Sequence, residues 1–196
     1  LPELHVITAG SLLDFLLEDH LFSMPVGRIE YLHLGPMSFQ EYLIACSENR
    51  LVEYIKTYTM NEAVPDGIHN RLVDLLRNYL IIGGMPECIK TFLSSNDYME
   101  VDNIKLNILN TYQADFVKYG KRIDYTSLLK VFSQIPRLVG QKLKYVNISR
   151  EHRSAEIANS LHLLEMAKIC YLVRHTSCHG IPLGAMASEK TFKPLF

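Results

Sequence analysis

Apolar side chains come in short unbroken runs at the start of the chain and at helical intervals through most of the rest. Leu4-His5-Val6-Ile7-Thr8-Ala9 is too short for a helix and rich in β-branched residues, which predicts a buried strand. Leu12, Leu13, Leu16 and Leu17 recur at helical spacing within 12–22, and the partial alternation of 29–34 predicts a second strand. Ser38 stands three residues before Glu41, a capping-box spacing, with Met37 and Tyr42 placed as the hydrophobic staple; a helix is expected from there to about Tyr58. The next helix starts at Asp66 or Gly67 and shows one face of Ile68, Leu72, Leu75, Leu76 and Tyr79. Gly83-Gly84 stops it, because glycine accepts the left-handed backbone that closes a helix end. Pro86 restarts the chain at a first-turn position. Asp97 then caps a long helix carrying Val101, Ile104, Ile108, Tyr112 and Phe116, expected to end near Gly120.

From Ile123 the pattern changes. It predicts a helix over 126–135, a second helical stretch over 137–143 after Pro136, strand character in Tyr145-Val146-Asn147-Ile148 and a helix from Ser154 to Ala167. A strand from Ile169 to His175 and a turn at His179-Gly180-Ile181-Pro182 follow. Helix, helix, short strand, helix and a two-stranded ribbon is the order of a winged helix. The class is mainly α with some β (α+β). The expected organisation is a remnant of a P-loop NTPase α/β core over 1–58, a helical lid or linker over 59–120, and a winged helix over 121–196 that stops short at its C-terminal end.

Composition narrows the function classes modestly. The 196 residues are 48% hydrophobic and 21% charged, ordinary globular usage that argues against disorder. A net charge of −1 gives no global attraction to nucleic acid or acidic membranes. Charges interrupt every apolar run well short of the roughly 20 residues a bilayer span needs, so no membrane insertion is expected. Cys46, Cys88, Cys170 and Cys178 form no Cys-x-x-Cys pair, and most lie in apolar stretches, as reduced thiols of a cytoplasmic protein do. Cys170, His175, Cys178 and His179 are of zinc's ligand types, but their spacing fits no closed four-ligand site, and no metal is expected.

Three residues carry candidate chemistry. A strand ending in Thr8 and Ser11 has the layout in which a polar side chain senses a γ-phosphate beyond the strand's carboxyl end; Ser11 equally suits a cap on the next helix. Arg28 follows Gly27 just before the second strand, where an arginine finger would present its planar fork to phosphate oxygens; a surface arginine after a glycine turn looks the same. Gly83-Gly84-Met85-Pro86 suits a nucleotide-proximal hinge or a plain helix stop and restart. No Gly-x-x-x-x-Gly-Lys-Ser/Thr loop occurs. Farther on, Arg137, Lys142, Lys144, Arg150 and Arg153 face only Glu151 over 137–153, a patch able to contact phosphates. The helix after it holds no Lys or Arg and has Glu156 and Glu165, which argues for a packing role.

With Thr8-Ala9-Gly10-Ser11 and Leu12-Leu13, Pro25-Val26-Gly27-Arg28, Pro36 through Leu43, Tyr79 through Glu87, Tyr112 through Tyr119, and a late part from Ile135-Pro136 through Leu143 to Phe192-Lys193, the chain resembles prokaryotic AAA-like ATPases with a C-terminal winged-helix domain, the DUF4143 group. The resemblance implies that ATP and Mg²⁺ are bound and hydrolysed in an intact protein whose phosphate loop precedes Leu1. It makes Ser11 the sensor and Arg28 the arginine near the nucleotide, with Thr8 beside them. This chain alone is then expected to bind no cofactor and to be inactive. The alternative is a winged-helix module that binds DNA or protein without nucleotide. Unpartnered strands around Val6, Ile7, Leu32 and Leu34 would favour self-association.

Overall fold

The Ser38–Glu41 box forms as its spacing predicts. In the computed structural model, which describes residues 5–7, 28, 30, 32–117 and 124–196, the Ser38 hydroxyl accepts from the Glu41 N–H at 3.3 Å. The Glu41 carboxylate accepts from the Ser38 N–H at 2.7 Å. Helix α1 (Phe39–Ala45) nevertheless ends after seven residues instead of running to Tyr58. Ser47 adopts a left-handed φ of 62°. The Glu48 N–H then reaches the Leu43 carbonyl and the Ser47 N–H the Ile44 carbonyl, both at 2.9 Å, a Schellman closure. Serine holds the position usually given to glycine, so the stop carries no sequence mark. Helix α2 (Asn49–Thr57) follows.

Helix α3 (Asp66–Ile82) stops at Gly83, whose φ is 83°. Helix α4 (Pro86–Ser95) has Pro86 in its first turn, and α5 is Tyr98–Phe116. The Asp97 carboxylate accepts the Met99 N–H at 2.8 Å in front of α5.

Contacts divide the described residues into two units, one ending at Tyr112 and the other running from Gln113 to Phe196. In the first unit, Tyr42, Leu43, Ile82, Cys88, Ile89 and Val101 are buried together. The Pro36-Met37 segment is strapped onto the end of α3. The Met37 N–H donates to the Gly84 carbonyl at 2.7 Å, and the Met37 carbonyl accepts from the Tyr79 hydroxyl at 2.7 Å. Phe39 and Tyr42 rings pack against Tyr79 with centroids 5.6 and 5.5 Å away.

After the last residues of α5, the second unit continues with α6 (Tyr125–Gln134), capped by Asp124, which accepts from the Thr126 and Ser127 N–H groups. A 3₁₀ turn covers Ile135–Leu138. Helices α7 (Tyr145–Ile148) and α8 (Ser154–Met166) and strands β1 (Tyr171–Thr176) and β2 (Ala187–Leu195) complete it. The strands pair antiparallel, Tyr171 opposite Leu195 and Arg174 opposite Phe192, with an irregularity between Arg174 and Thr176. Gly140 and Leu143 donate their N–H groups to the Pro194 and Phe192 carbonyls, each at 3.0 Å, so this segment lies along the other edge of β2. Leu128, Val131, Ile135, Ile157, Leu161 and Leu164 are buried, and the Phe132 ring meets Phe116 edge-on at 5.1 Å and Phe196 at 5.8 Å. Between α6 and α8 the buried Ser127 and Ser160 hydroxyls bond each other at 3.1 Å.

The structure is thus mostly helical with a small antiparallel sheet, an α+β fold. Three further sequence expectations are corrected. Tyr145–Ile148 is a helical turn, not a strand, because Ile148 is buried while its β-branched neighbour Val146 is exposed. The expected helix over 137–143 is a 3₁₀ turn followed by the segment against β2. Residues 5–7, 30 and 32–34 form no strand and are exposed, so the two expected opening strands are absent among the described residues; the helix expected over 12–22 lies outside them. No described helix is long and apolar enough to cross a membrane.

Candidate functional site

Of the three residues first singled out, Thr8 and Ser11 lie outside the described residues, and Arg28 sits exposed at a bend. Gly83-Gly84 has a complete structural account instead. Gly83 closes α3 at positive φ, and a Cβ on Gly84 would stand 2.5 Å from the Met37 carbonyl oxygen.

A shallow apolar depression of about 420 Å³ in the first unit is lined by Met37, Ala45, Pro86, Ile89, Lys90, Leu93 and Ser94. The Ser94 hydroxyl donates to the Thr91 carbonyl, leaving Lys90 as the charged group of the lining. Nothing there assembles a nucleophile with a base.

The second unit offers more. Residues 124–196 hold ten Lys and Arg against five Asp and Glu, a net +5, whereas 1–123 hold ten against sixteen, a net −6. The overall −1 is therefore the sum of two oppositely charged segments, a signal present in the sequence that a whole-chain count conceals. Arg137, Lys142, Lys144, Arg150 and Arg153 are all exposed.

Helix α8 buries Ile157, Ser160, Leu161, Leu163 and Leu164. At 100° per residue, the opposite face collects Ala155, Asn159 and His162, all exposed, with Ala158 and Met166 half-buried beside them. Both acidic residues of α8 are held in local bonds. Glu156 accepts the Arg153 backbone N–H at 2.9 Å, closing the helix start where the Arg153 side chain has no acceptor to offer. Glu165 accepts from the Arg174 guanidinium of β1 at 3.3 Å. The outward face is uncharged, with Arg150 and Arg153 at its beginning.

The loop that carries those arginines is braced by His152. The Thr126 hydroxyl gives its proton to Asp124 at 2.7 Å, so its oxygen can only accept from His152 Nε2, 3.2 Å away. The Ser149 oxygen accepts the Glu151 and His152 N–H groups at 3.2 and 3.4 Å, leaving its proton for His152 Nδ1 at 2.9 Å. One tautomer, with the proton on Nε2, satisfies every partner. Asp124 Oδ2 lies 3.5 Å from Nε2. Ser149, His152 and Asp124 follow the order of a nucleophile, base and acid, a grouping that spacing did not reveal. The Ser149 residue is only 8% exposed, however, and its lone pairs are engaged by two backbone amides. The group fixes the loop rather than activating a nucleophile. The Thr126 hydroxyl, with backbone N–H bonds and the nearby His152, holds the Asp124 carboxyl below the usual carboxylate range.

No cluster of three or more His, Cys, Asp or Glu side chains able to hold a metal occurs among the described residues, so Cys170, His175, Cys178 and His179 do not converge. Burial, with Glu165 nearby, pushes the Cys170 thiol up to about 12, and burial also raises Cys88; both stay protonated at neutral pH.

Comparison with known proteins corrects the family resemblance. No curated protein and no solved structure matches the chain. The family model that matches is neither an AAA ATPase nor the DUF4143 group, so membership in those ATPases is overturned. The short motifs that suggested it include a helix cap at Ser38 and a helix stop at Gly83, which local packing explains without shared ancestry. The sensor role of Ser11, the nucleotide-contact role of Arg28 and the expectation of ATP and Mg²⁺ lose the basis they had in that resemblance. Residues 73–196 match a domain of unknown function, DUF8612, and the chain belongs to that family.

Proposed function

We propose that residues 124–196 act as a winged-helix module that binds duplex DNA, with α8 entering the major groove and the β1–β2 hairpin beside it as the wing. The observation that carries this reading is the uncharged outer face of α8, its two carboxylates held in local bonds and two exposed arginines at its start. The element order, three helical segments followed by a hairpin against whose free edge Gly140 and Leu143 bond, supports it. So does the concentration of positive charge in this half of the chain.

Lys142, Lys144, Arg150 and Arg153 then take phosphates and set orientation, while the α8 face meets the base edges. The His152 brace fixes the loop that carries Arg150 and Arg153, so its backbone does not have to be ordered on binding, which limits the entropy lost on association. A cytoplasmic setting fits this role and the free thiols of Cys46, Cys88, Cys170 and Cys178.

Fluorescence anisotropy of the full chain with a random-sequence 20-base-pair duplex tests the reading. Binding in the ~1–100 μM range at physiological salt, weakening as salt rises, is expected. No binding at low salt, with capture of a protein partner through the same α8 face, would replace DNA with protein as its target.

A further inference from the structure

Binding through phosphates alone would require only charge, yet the outer face of α8 carries a different set of side chains. It is small or uncharged where charge would maximise non-specific attraction. Ala155 and Ala158 lie on or beside its centre and let the helix backbone approach closely. Asn159 and His162 are exposed on the same face, and neither makes a side-chain hydrogen bond among the described residues. Each therefore reaches outward with donors and acceptors uncommitted.

We propose, resting on the duplex-binding reading above, that α8 is a sequence reader in which Asn159 and His162 recognise adjacent base pairs, with adenine at the Asn159 position. A carboxamide offers one acceptor and two donors in a plane, the complement of adenine N6–H and N7 in the major groove. Arginine, the usual partner of guanine, is missing from this face, so the preference falls on A·T at that step. His162 follows three residues later, about 4.5 Å along the helix axis, close to the ~3.4 Å rise of one base pair. Its imidazole donates to an acceptor on the neighbouring base pair. The interval from Ala155 to His162 covers about 10 Å, or three base pairs. Phosphate contacts from Arg150 and Arg153 fix the register at the helix start.

The geometry also excludes interference from the acids of α8. Glu165 lies toward one edge of the outer face and is bonded to Arg174; Glu156 is turned back onto the Arg153 amide. Neither points a free carboxylate at the groove floor.

The test is selection of duplexes with a randomised eight-base-pair core by the full chain, followed by sequencing, for the wild type, Asn159→Ala and His162→Ala. Both positions are exposed and alanine favours helix, and a circular-dichroism spectrum and melting point matching the wild type check that each variant folds. An enriched motif containing an adenine is expected, with discrimination at that position reduced about 5- to 150-fold by Asn159→Ala. His162→Ala is expected to erase preference at the adjacent position and not at the adenine. A motif left unchanged by Asn159→Ala overturns the proposal, as does duplex binding without any enrichment, which leaves the duplex-binding reading intact. Absence of duplex binding overturns both.

Discussion

Replacing Gly84 by alanine tests the packing of the first unit more sharply than any core truncation. An ideal Cβ at this position stands 2.5 Å from the Met37 carbonyl oxygen, 2.9 Å from the Pro36 Cβ and 3.2 Å from the Met37 nitrogen. Two of these neighbours are backbone atoms, so the Pro36-Met37 strap must retreat. That retreat strains the bond from the Met37 N–H to the Gly84 carbonyl and the bond from the Tyr79 hydroxyl to the Met37 carbonyl, both 2.7 Å. Overpacking of this kind costs about 1–3 kcal/mol, and each lost hydrogen bond about 0.5–1.5 kcal/mol. Gly84→Ala is therefore expected to lower stability by about 2–6 kcal/mol. Gly83→Ala is the internal control: it meets open space but keeps a φ of 83° with ψ of 176°, a region open almost only to glycine, at a backbone cost of about 1–3 kcal/mol. Urea unfolding of the full chain, followed by circular dichroism at 222 nm, ranks the two. Tyr79→Phe should cost about 1 kcal/mol in the wild type and much less in the Gly84→Ala background, where its bond is already lost. The reasoning fails if Gly84→Ala costs less than Gly83→Ala, or if Tyr79→Phe costs the same in both backgrounds.

Ser160→Ala should destabilise the second unit by about 1–3 kcal/mol, because it leaves the buried Ser127 hydroxyl without its partner. Ser127→Ala with Ser160→Ala should cost less than the sum of the single changes; additive costs in a double-mutant cycle would contradict this. For Asp124, a folded-state pKa below the unfolded value means its stabilising contribution is present above about pH 4 and lost as pH falls through the folded value. Asp124→Asn keeps a capping acceptor but removes the titration. The melting temperature of the wild type should thus fall more steeply between pH 5 and pH 3 than that of the variant, and equal slopes would refute the assignment.

How much the sequence revealed depended on whether a feature was local. The Ser38–Glu41 box and the Gly83 stop with its Pro86 restart follow from residues a few positions apart, and both form as read. The break at Ser47 was illegible because serine there adopts a backbone conformation that usually signals glycine. Tyr145–Ile148 misled through its β-branched residues, since burial of Ile148 decided its conformation rather than propensity. The opening runs looked like buried strands by composition, but Ile7 and Leu34 are almost wholly exposed. Periodicity alone does not say whether an apolar run has anything to pack against.

The candidate site was half legible. The basic stretch over 137–153 stood out, and its five cations are exposed. Read from the sequence alone, Glu156 and Glu165 weigh against nucleic-acid contact, because a sequence lists charges and not their partners. Bonds to the Arg153 amide and the Arg174 guanidinium change that balance. The brace formed by Asp124, Thr126, Ser149 and His152 joins residues up to 28 positions apart, and no spacing rule anticipates it.

Salt titration of duplex affinity tests the central claim most directly. Four phosphate contacts, from Lys142, Lys144, Arg150 and Arg153, imply a slope of log K against log salt near −3.6, or about a 150-fold loss between 50 and 200 mM salt. Replacing Arg150 and Arg153 together by glutamine should bring the slope to about −1.8. A slope near zero in the wild type, or one that the double replacement leaves unchanged, would contradict the account.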